Sequence, residues 1–230
     1  MIKSIFFDFN GVIIDDEKIQ MNAYKEVLKG HGIELTEEWY FDALGMDDRT
    51  FVQAMFERAQ KKMQPGTLET VLQAKTGLHR TMIEDELPLF PGVLNFIKAA
   101  SREFSVGLVS MANAEEIGYV FERAGLGPFF SVMVMAGDVS ACKPAPDCYR
   151  RGLEKLNEKR QSERLLPLLA SECLAIEDSP PGIQSAHAVG MHTLGVTNTV
   201  SENALREAGA EVVTHSLADW TVDSVKLVFV

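Results

Sequence analysis

The sequence predicts an α/β fold: a parallel sheet covered by helices on both faces, interrupted once by an inserted α-helical cap. Three observations predict it. Short β-branched or apolar runs alternate with helical stretches through residues 91–230, the pattern of parallel strands joined by crossover helices. A further run of the same strand type stands at the N-terminus and ends in the carboxylate of Asp8. Between them, residues 16–90 carry helical periodicity and no strand-like alternation. The core is therefore residues 1–15 together with 91–230. Residues 16–90 form a cap placed over the strand ends.

The first strand is the Ile5-Phe6-Phe7 run, which delivers Asp8 to its carboxyl end, where open α/β sheets bind ligands. Gly11 then permits a turn, and Val12, Ile13 and Ile14 lead to a second acid, Asp15. In the cap, Ile19, Ala23, Val27 and Leu28 recur at helical spacing until Gly30-His31-Gly32 breaks the run. Thr36-Glu37-Glu38 and Asp47-Asp48-Arg49-Thr50 read as helix starts, with acids near the positive end of the helix dipole. Phe51, Val52, Met55 and Phe56 line one face of the helix that follows, and another helix is predicted over 68–84. Pro88-Leu89-Phe90-Pro91-Gly92 ends the block. Beyond it, strands are predicted over 105–109, 132–135, 173–176 and 192–196, with a weaker one over 211–213. Helices are predicted over 93–100, 114–124, 146–156 and 181–189.

A formal charge of -11 on 230 residues repels a phosphate backbone and argues against nucleic-acid binding. A phosphorylated small molecule would need a local cluster of cations and N–H donors, helped by a metal ion. No apolar run approaches the ~18–20 residues of a membrane span. No signal-peptide apolar region stands at the N-terminus. Cys142, Cys148 and Cys173 are odd in number and lack CxxC spacing, which suits reduced thiols and a cytoplasmic location. A monomer is the default oligomeric state.

Four groups fall just after predicted strands: Asp8, Ser110, Lys143 and the pair Glu177-Asp178. In a doubly wound sheet such positions converge on one edge. Asp8 is then placed to attack phosphorus and form an aspartyl-phosphate. Glu177 and Asp178 offer the oxygen ligands a hard ion such as Mg²⁺ prefers, joined by Asp8 and the backbone carbonyl of Asn10. Lys143 offsets charge between Asp8 and the phosphoryl group, while the Ser110 hydroxyl and the Met111 N–H hold phosphoryl oxygens. Each group also has an ordinary role: an Asx turn at Asp8, a helix cap at Ser110, a turn at Lys143-Pro144, a helix start at Glu177-Asp178-Ser179. Their joint placement in this order argues against coincidence.

These segments resemble the haloacid dehalogenase-like (HAD) superfamily over the whole chain. Asp8-Phe9-Asn10-Gly11 resembles its first motif, Val106-Gly107-Leu108-Val109-Ser110 its phosphate-binding strand, and Cys142-Lys143-Pro144 its Lys-Pro motif. Glu177-Asp178-Ser179-Pro180-Pro181-Gly182 is similar to its metal-binding motif. The resemblance implies a Rossmann-like core with a helical cap, of the β-phosphoglucomutase and phosphoglycolate phosphatase branch, whose members are Mg²⁺-dependent phosphotransferases or phosphatases. It makes Asp8 the nucleophile, Ser110 and Lys143 phosphate ligands, and Glu177 and Asp178 the metal-site acids. Gly45-Met46-Asp47-Asp48-Arg49 resembles the substrate-specificity loop, so Arg49 is a candidate contact for the distal part of a small phosphorylated metabolite. Lys75 reads instead as a solvated residue.

The family's phosphatases read Asp-x-Asp-Gly, and Asn10 stands where the second Asp belongs. That Asp protonates the leaving group and then deprotonates the attacking water, and an amide does neither. Three explanations stay open: a native asparagine with another proton carrier, an engineered trapping variant, or a relative that binds a phosphorylated ligand with little turnover. Asp15, Asp16 and Glu17 are nearby acids, but their hinge position reads as capping of the next helix. Dehalogenation ranks below phosphate chemistry, because relatives with that chemistry need no metal and Glu177-Asp178 keeps the metal pattern. A mutase reading is weakened by Gln20, which stands where those enzymes carry a histidine.

Overall fold

The computed structural model describes residues 1–229. Six parallel strands form one sheet: β1 (Ser4–Phe7), β2 (Ser105–Val109), β3 (Val132–Val134), β4 (Cys173–Glu177), β5 (His192–Val196) and β6 (Val212–Thr214). Their order is β3-β2-β1-β4-β5-β6. The chain therefore runs outward from β1 on one side, crosses over, and runs outward again from β4. The point where the order reverses lies between β1 and β4, the place where such sheets open a crevice for ligand. Phe7 pairs with both Leu108 and Ile176, so Asp8, Ser110 and Asp178 emerge on the same edge.

Alternation along β1 fills both faces. Ile5 and Phe7 pack with Val106, Leu108, Phe96 and Ile117, while Phe6 packs with Val109, Tyr149, Leu156 and Ala175. The Ile5, Phe6 and Phe7 side chains are fully buried, each worth about 1.5–3 kcal/mol against exposure. Helices α5 (Val93–Ala100), α6 (Ala114–Ala124) and α10 (Val222–Val228) cover the first face, and α7 (Asp147–Ser162) and α8 (Pro180–Val189) the second. Helix α9 (Glu202–Glu207) packs Leu205 against Ile183 at the β5 edge.

The cap consists of α1 (Glu17–Lys29), α2 (Glu37–Phe41), α3 (Asp48–Arg58) and α4 (Thr67–Met82). Tyr24, Leu28, Phe51, Val52, Met55 and Val71 give it an apolar cluster separate from that of the sheet. Two strands of chain join cap to core side by side. The Asp15 N–H donates to the Pro88 carbonyl at 2.7 Å, and the Phe90 N–H to the Ile13 carbonyl at 3.1 Å.

Several boundaries move from their predicted places. Helix α7 continues to Ser162 because Arg151 pairs with Glu154 and Glu158 and sustains a polar helix beyond the apolar run. Strand β3 stops at Val134 because the Asp138 carboxylate takes the Met135 N–H at 3.0 Å. Helices α9 and α10 were not predicted, being too short to display periodicity, although Ser201 and Thr221 cap them with side-chain acceptors. No helix of the described residues is long and apolar enough to cross a membrane.

Candidate active site

Asp8 leaves β1 with its N–H bonded to the Ile176 carbonyl at 3.0 Å, so its side chain stands over the gap between β1 and β4. One carboxylate oxygen of Asp8 accepts the Phe9 N–H at 2.7 Å, and the other lies 3.0 Å from Lys143 Nζ. Glu177 ends β4 and Asp178 follows it. One oxygen from each of Asp8, Glu177 and Asp178 lies within 4.8 Å of the other two. Lys143, reaching in from the loop after β3, is 2.6 Å from Glu177 Oε1, which also accepts the Tyr149 hydroxyl.

Three carboxylates thus face a single ammonium. Burial and then the neighbouring Asp8 push Glu177 up to about 8, against the pull of Lys143. Burial and Asp8 likewise hold Asp178 well above the ordinary carboxylate range. Burial alone would lower Lys143, but Asp8 and Glu177 outweigh it and keep the ammonium charged. Glu177 Oε2 is buried without a hydrogen-bond partner. An all-oxygen donor set with excess negative charge and an orphan oxygen fits a hard divalent cation.

Two glycines permit this crowding. Gly11 has φ +72°, and a Cβ there would fall 1.8 Å from Asp178 Oδ2. A Cβ on Gly182 would fall 1.8 Å from Glu177 Oε2. Asn198 Nδ2 fixes the loop by donating to the Gly11 carbonyl at 2.7 Å, and the Thr199 hydroxyl closes on the same glycine, 2.7 Å from where a Cβ would fall. Neither threonine nor asparagine was singled out from sequence; their signal was only a polar Thr197-Asn198-Thr199 run after β5.

Ser110 follows β2 and is buried beside Asp8. Its Oγ accepts the Ala112 N–H at 3.1 Å, which leaves the hydroxyl proton free to donate. Asn113, not Ser110, caps α6, accepting the Glu116 N–H at 2.9 Å. Asp8, Asn10, Ser110, Met111, Lys143 and Asp178 form the core wall of a cavity of about 100 Å³, and Glu17, Gln20, Tyr24, Tyr40, Asp48 and Lys75 are on its cap wall. Arg49 is not among the residues lining it. Its guanidinium pairs with Glu69 at 3.1 Å on the surface. Cys142 is half-buried, donates to Asp47 at 3.3 Å, and is pushed up by burial, which leaves an unreactive thiol.

Asn10 is tied into the cap. Its Nδ2 donates to both oxygens of Asp16 at 2.9 and 3.0 Å. Asp16 is fully buried, and its Oδ2 also meets Gln20 Nε2 at 3.0 Å and His79 Nε2 at 2.8 Å. It occupies the N-cap position of α1 with no side-chain cap bond, so the expected capping role is corrected. Its carboxylate is taken by three side chains instead. The solvated reading of Lys75 is also corrected. Lys75 is 1% exposed and bonds Glu116 at 2.9 and 3.1 Å and Asp48 at 3.2 Å. The periodic signal was available: Leu68, Val71, Lys75 and His79 share the buried face of α4. Glu17, the first residue of α1, faces the cavity and accepts the Tyr40 hydroxyl at 2.7 Å.

A sheet with this switch point, an acid after β1 and an acidic pair after β4 outlines a class of α/β phosphate-chemistry enzymes; the family is fixed by comparison. Residues 5–196 match the model of the haloacid dehalogenase-like hydrolase family. The chain belongs to that family, and its fold is that of the β-phosphoglucomutase-like branch. Its relatives include a phosphorylated carbohydrates phosphatase of Thermotoga maritima, 27% identical over 214 residues, covering 91% of this chain and 92% of that protein. They also include a fructose-1-phosphate phosphatase of Escherichia coli, 27% identical over 194 residues, covering 84% of this chain and 95% of that one. A β-phosphoglucomutase structure from Clostridium difficile superposes with a TM-score of 0.85 at 20% identity, over 100% of this chain and 97% of that one. At that identity the likeness speaks for the fold.

Proposed function

We propose that the protein is a Mg²⁺-dependent phosphatase of a small phosphorylated carbohydrate, acting through an aspartyl-phosphate on Asp8. The observation that carries this reading is the cluster of Asp8, Glu177, Asp178 and Lys143 at the strand switch point, with Ser110 on the adjoining strand. The carbohydrate follows from the activities named for the Thermotoga and Escherichia relatives.

Asp8, Asp178 and the Asn10 carbonyl would hold the ion, with Glu177 beside them. When bound, Mg²⁺ supplies charge neutralisation that lets one anion approach another. Lys143 stays protonated between Asp8 and Glu177 and orients the Asp8 carboxylate. The Ser110 hydroxyl and the N–H groups before α6 orient the phosphoryl oxygens. Asp8 then attacks phosphorus, the bond to the leaving oxygen breaks, and water later hydrolyses the acyl phosphate. The cap wall excludes bulk water from this exchange.

The locked amide of Asn10 favours a second reading, ligand binding without turnover. Hydrolysis of p-nitrophenyl phosphate with Mg²⁺ separates the two. Asp8→Ala should lower kcat by about 10⁴-fold or more. An unchanged rate in that variant, or no rate in the parent, removes the phosphatase reading.

A further inference from the structure

We infer that Glu17 is the proton carrier of this site, the acid that serves the leaving oxygen in place of a carboxyl at position 10. The inference rests on the phosphatase reading.

Elimination among the cavity acids leads to it. Asp8 and Asp178 belong to the nucleophile and ion site. Asp48 accepts from Lys75 at 3.2 Å and from Asn113 at 2.8 Å, and also takes the Tyr24 hydroxyl. Glu116 accepts from Lys75, Thr76 and Gln20. Burial would raise Glu116, but Lys75 and His79 outweigh it and hold the carboxyl at about 2. Both acids already accept from a lysine and from neutral donors. Asp16 does not line the cavity, and three side chains occupy its oxygens. Glu17 differs from all of them. It lines the cavity, no cation pairs with it, and its one side-chain bond is from the neutral Tyr40 hydroxyl to Oε2. Oε1 is left free.

Position supports the same role. The phosphoryl group belongs to the core wall, at Asp8, Ser110 and Lys143, and the rest of an ester extends toward the cap wall. The leaving oxygen lies where the two walls meet. Glu17 opens α1 directly after the hinge, where core becomes cap. The charged and titratable groups around it are Asp16 from the hinge, Tyr40 from α2, Asp8 after β1, Asp178 after β4 and Lys75 from α4. Burial first, then Asp16 and Asp8, raise Glu17 to about 7 against the lowering bond from Tyr40. An acid there is about half protonated near neutrality, the condition for giving and taking a proton in one cycle.

The steps balance. As Asp8 attacks phosphorus and the phosphorus–oxygen bond to the alkoxide breaks, the Glu17 proton moves to that oxygen and leaves a carboxylate. In the second half, Glu17 takes a proton from the attacking water while the bond from phosphorus to Asp8 breaks. Enzyme and proton inventory return to the start.

The experiment compares Glu17→Gln with the parent on p-nitrophenyl phosphate, whose phenolate departs without a proton, and on fructose 1-phosphate, glucose 6-phosphate and glycerol 3-phosphate. The variant should lose about 10²–10⁴-fold in kcat/KM on the best alkyl ester and less than about tenfold on the aryl ester. In the parent, kcat/KM on the alkyl ester should fall as pH rises through about 7, and this limb should be absent in the variant. Tyr40→Phe removes the bond that lowers Glu17 and should move the limb upward, which provides the test if Glu17→Gln does not fold. Equal losses on both substrates, or a limb that neither variant alters, overturn the inference. A parent that hydrolyses the aryl ester and no alkyl ester overturns it while the phosphatase reading stands. A parent inactive on every ester removes both.

Discussion

The protein buries two lysines, each between two carboxylates, and the two clusters behave differently. Lys143 lies between Asp8 and Glu177 on the core wall, and Lys75 between Asp48 and Glu116 at the seam of cap and core. At the seam every charge finds a partner, and Glu116 is held at about 2. On the core wall a third carboxylate, Asp178, joins the group, Glu177 Oε2 has no partner, and Glu177 rises to about 8. At the seam the one orphan atom among the described residues is the neutral Gln20 Oε1. A charge-paired cluster of this kind acts as a structural clamp, whereas a like-charged one with an orphan carboxylate oxygen suits the cation and the anion of the proposed function.

Replacing each lysine by methionine tests this distinction most severely. Removing one partner of a buried pair costs about 3–5 kcal/mol, so both variants should lose stability in urea unfolding. Lys143→Met should also lower kcat by about 10³-fold, by analogy with other single fixed charges at reacting centres. Lys75→Met should keep kcat within about tenfold. Comparable losses of kcat would dissolve the contrast. The acid limb separates them as well. Glu116 is depressed in the folded state from 4.5 to about 2, so its stabilisation is present above about 4.5 and is lost as pH falls toward 2. Lys75→Met should flatten that dependence.

Mg²⁺ sharpens the comparison from the other side. At a hundred times its dissociation constant, a ligand bound only by the native state adds about 2.7 kcal/mol. For a chain of this length that is about 5–11 °C in Tm. The gain should vanish in Asp178→Asn and persist in Lys75→Met. A shift of equal size in Asp178→Asn would place the ion elsewhere.

The asparagine joins the two regions. Asp at position 10 would set a carboxylate against both oxygens of Asp16, where the amide now donates at 2.9 and 3.0 Å. Asn10→Asp should therefore cost about 1–3 kcal/mol and raise turnover by less than tenfold. Pairing it with Asp16→Asn should recover the stability. A rise of several orders of magnitude in the single variant would mean that Asn10 only disables an otherwise ordinary site. The buried partners of the amide favour a native asparagine over a trapping substitution.

The core site was legible because strand ends converge: Asp8, Ser110 and Asp178 follow apolar runs that parallel register carries to one edge, and Lys143 reaches the same edge from the loop after β3. The cap was less so. Its side chains meet the core across distances that no local pattern encodes, such as Lys75 to Glu116 or Asn10 to Asp16 and on to His79. Glu17 and Asp16 looked alike in sequence, as two acids at a helix start. Only the fold separates them, one into the cavity and the other into a buried knot of donors.

Arg49 carries the smallest prediction and the sharpest disagreement between motif and placement. The loop 45–49 resembles a specificity loop, and a guanidinium is well suited to a distal anion. Yet Arg49 is 59% exposed in its side chain, is engaged by Glu69, and does not line the cavity, whose cap wall includes Lys75 already bound to two acids. Exposed pairs of this kind contribute little and are screened by salt. Arg49→Ala should leave the midpoint of unfolding unchanged and alter KM for the best phosphate ester by less than about twofold. A tenfold rise in KM confined to esters with a second anionic group would show that the cap closes further on its ligand and turns Arg49 inward, away from Glu69.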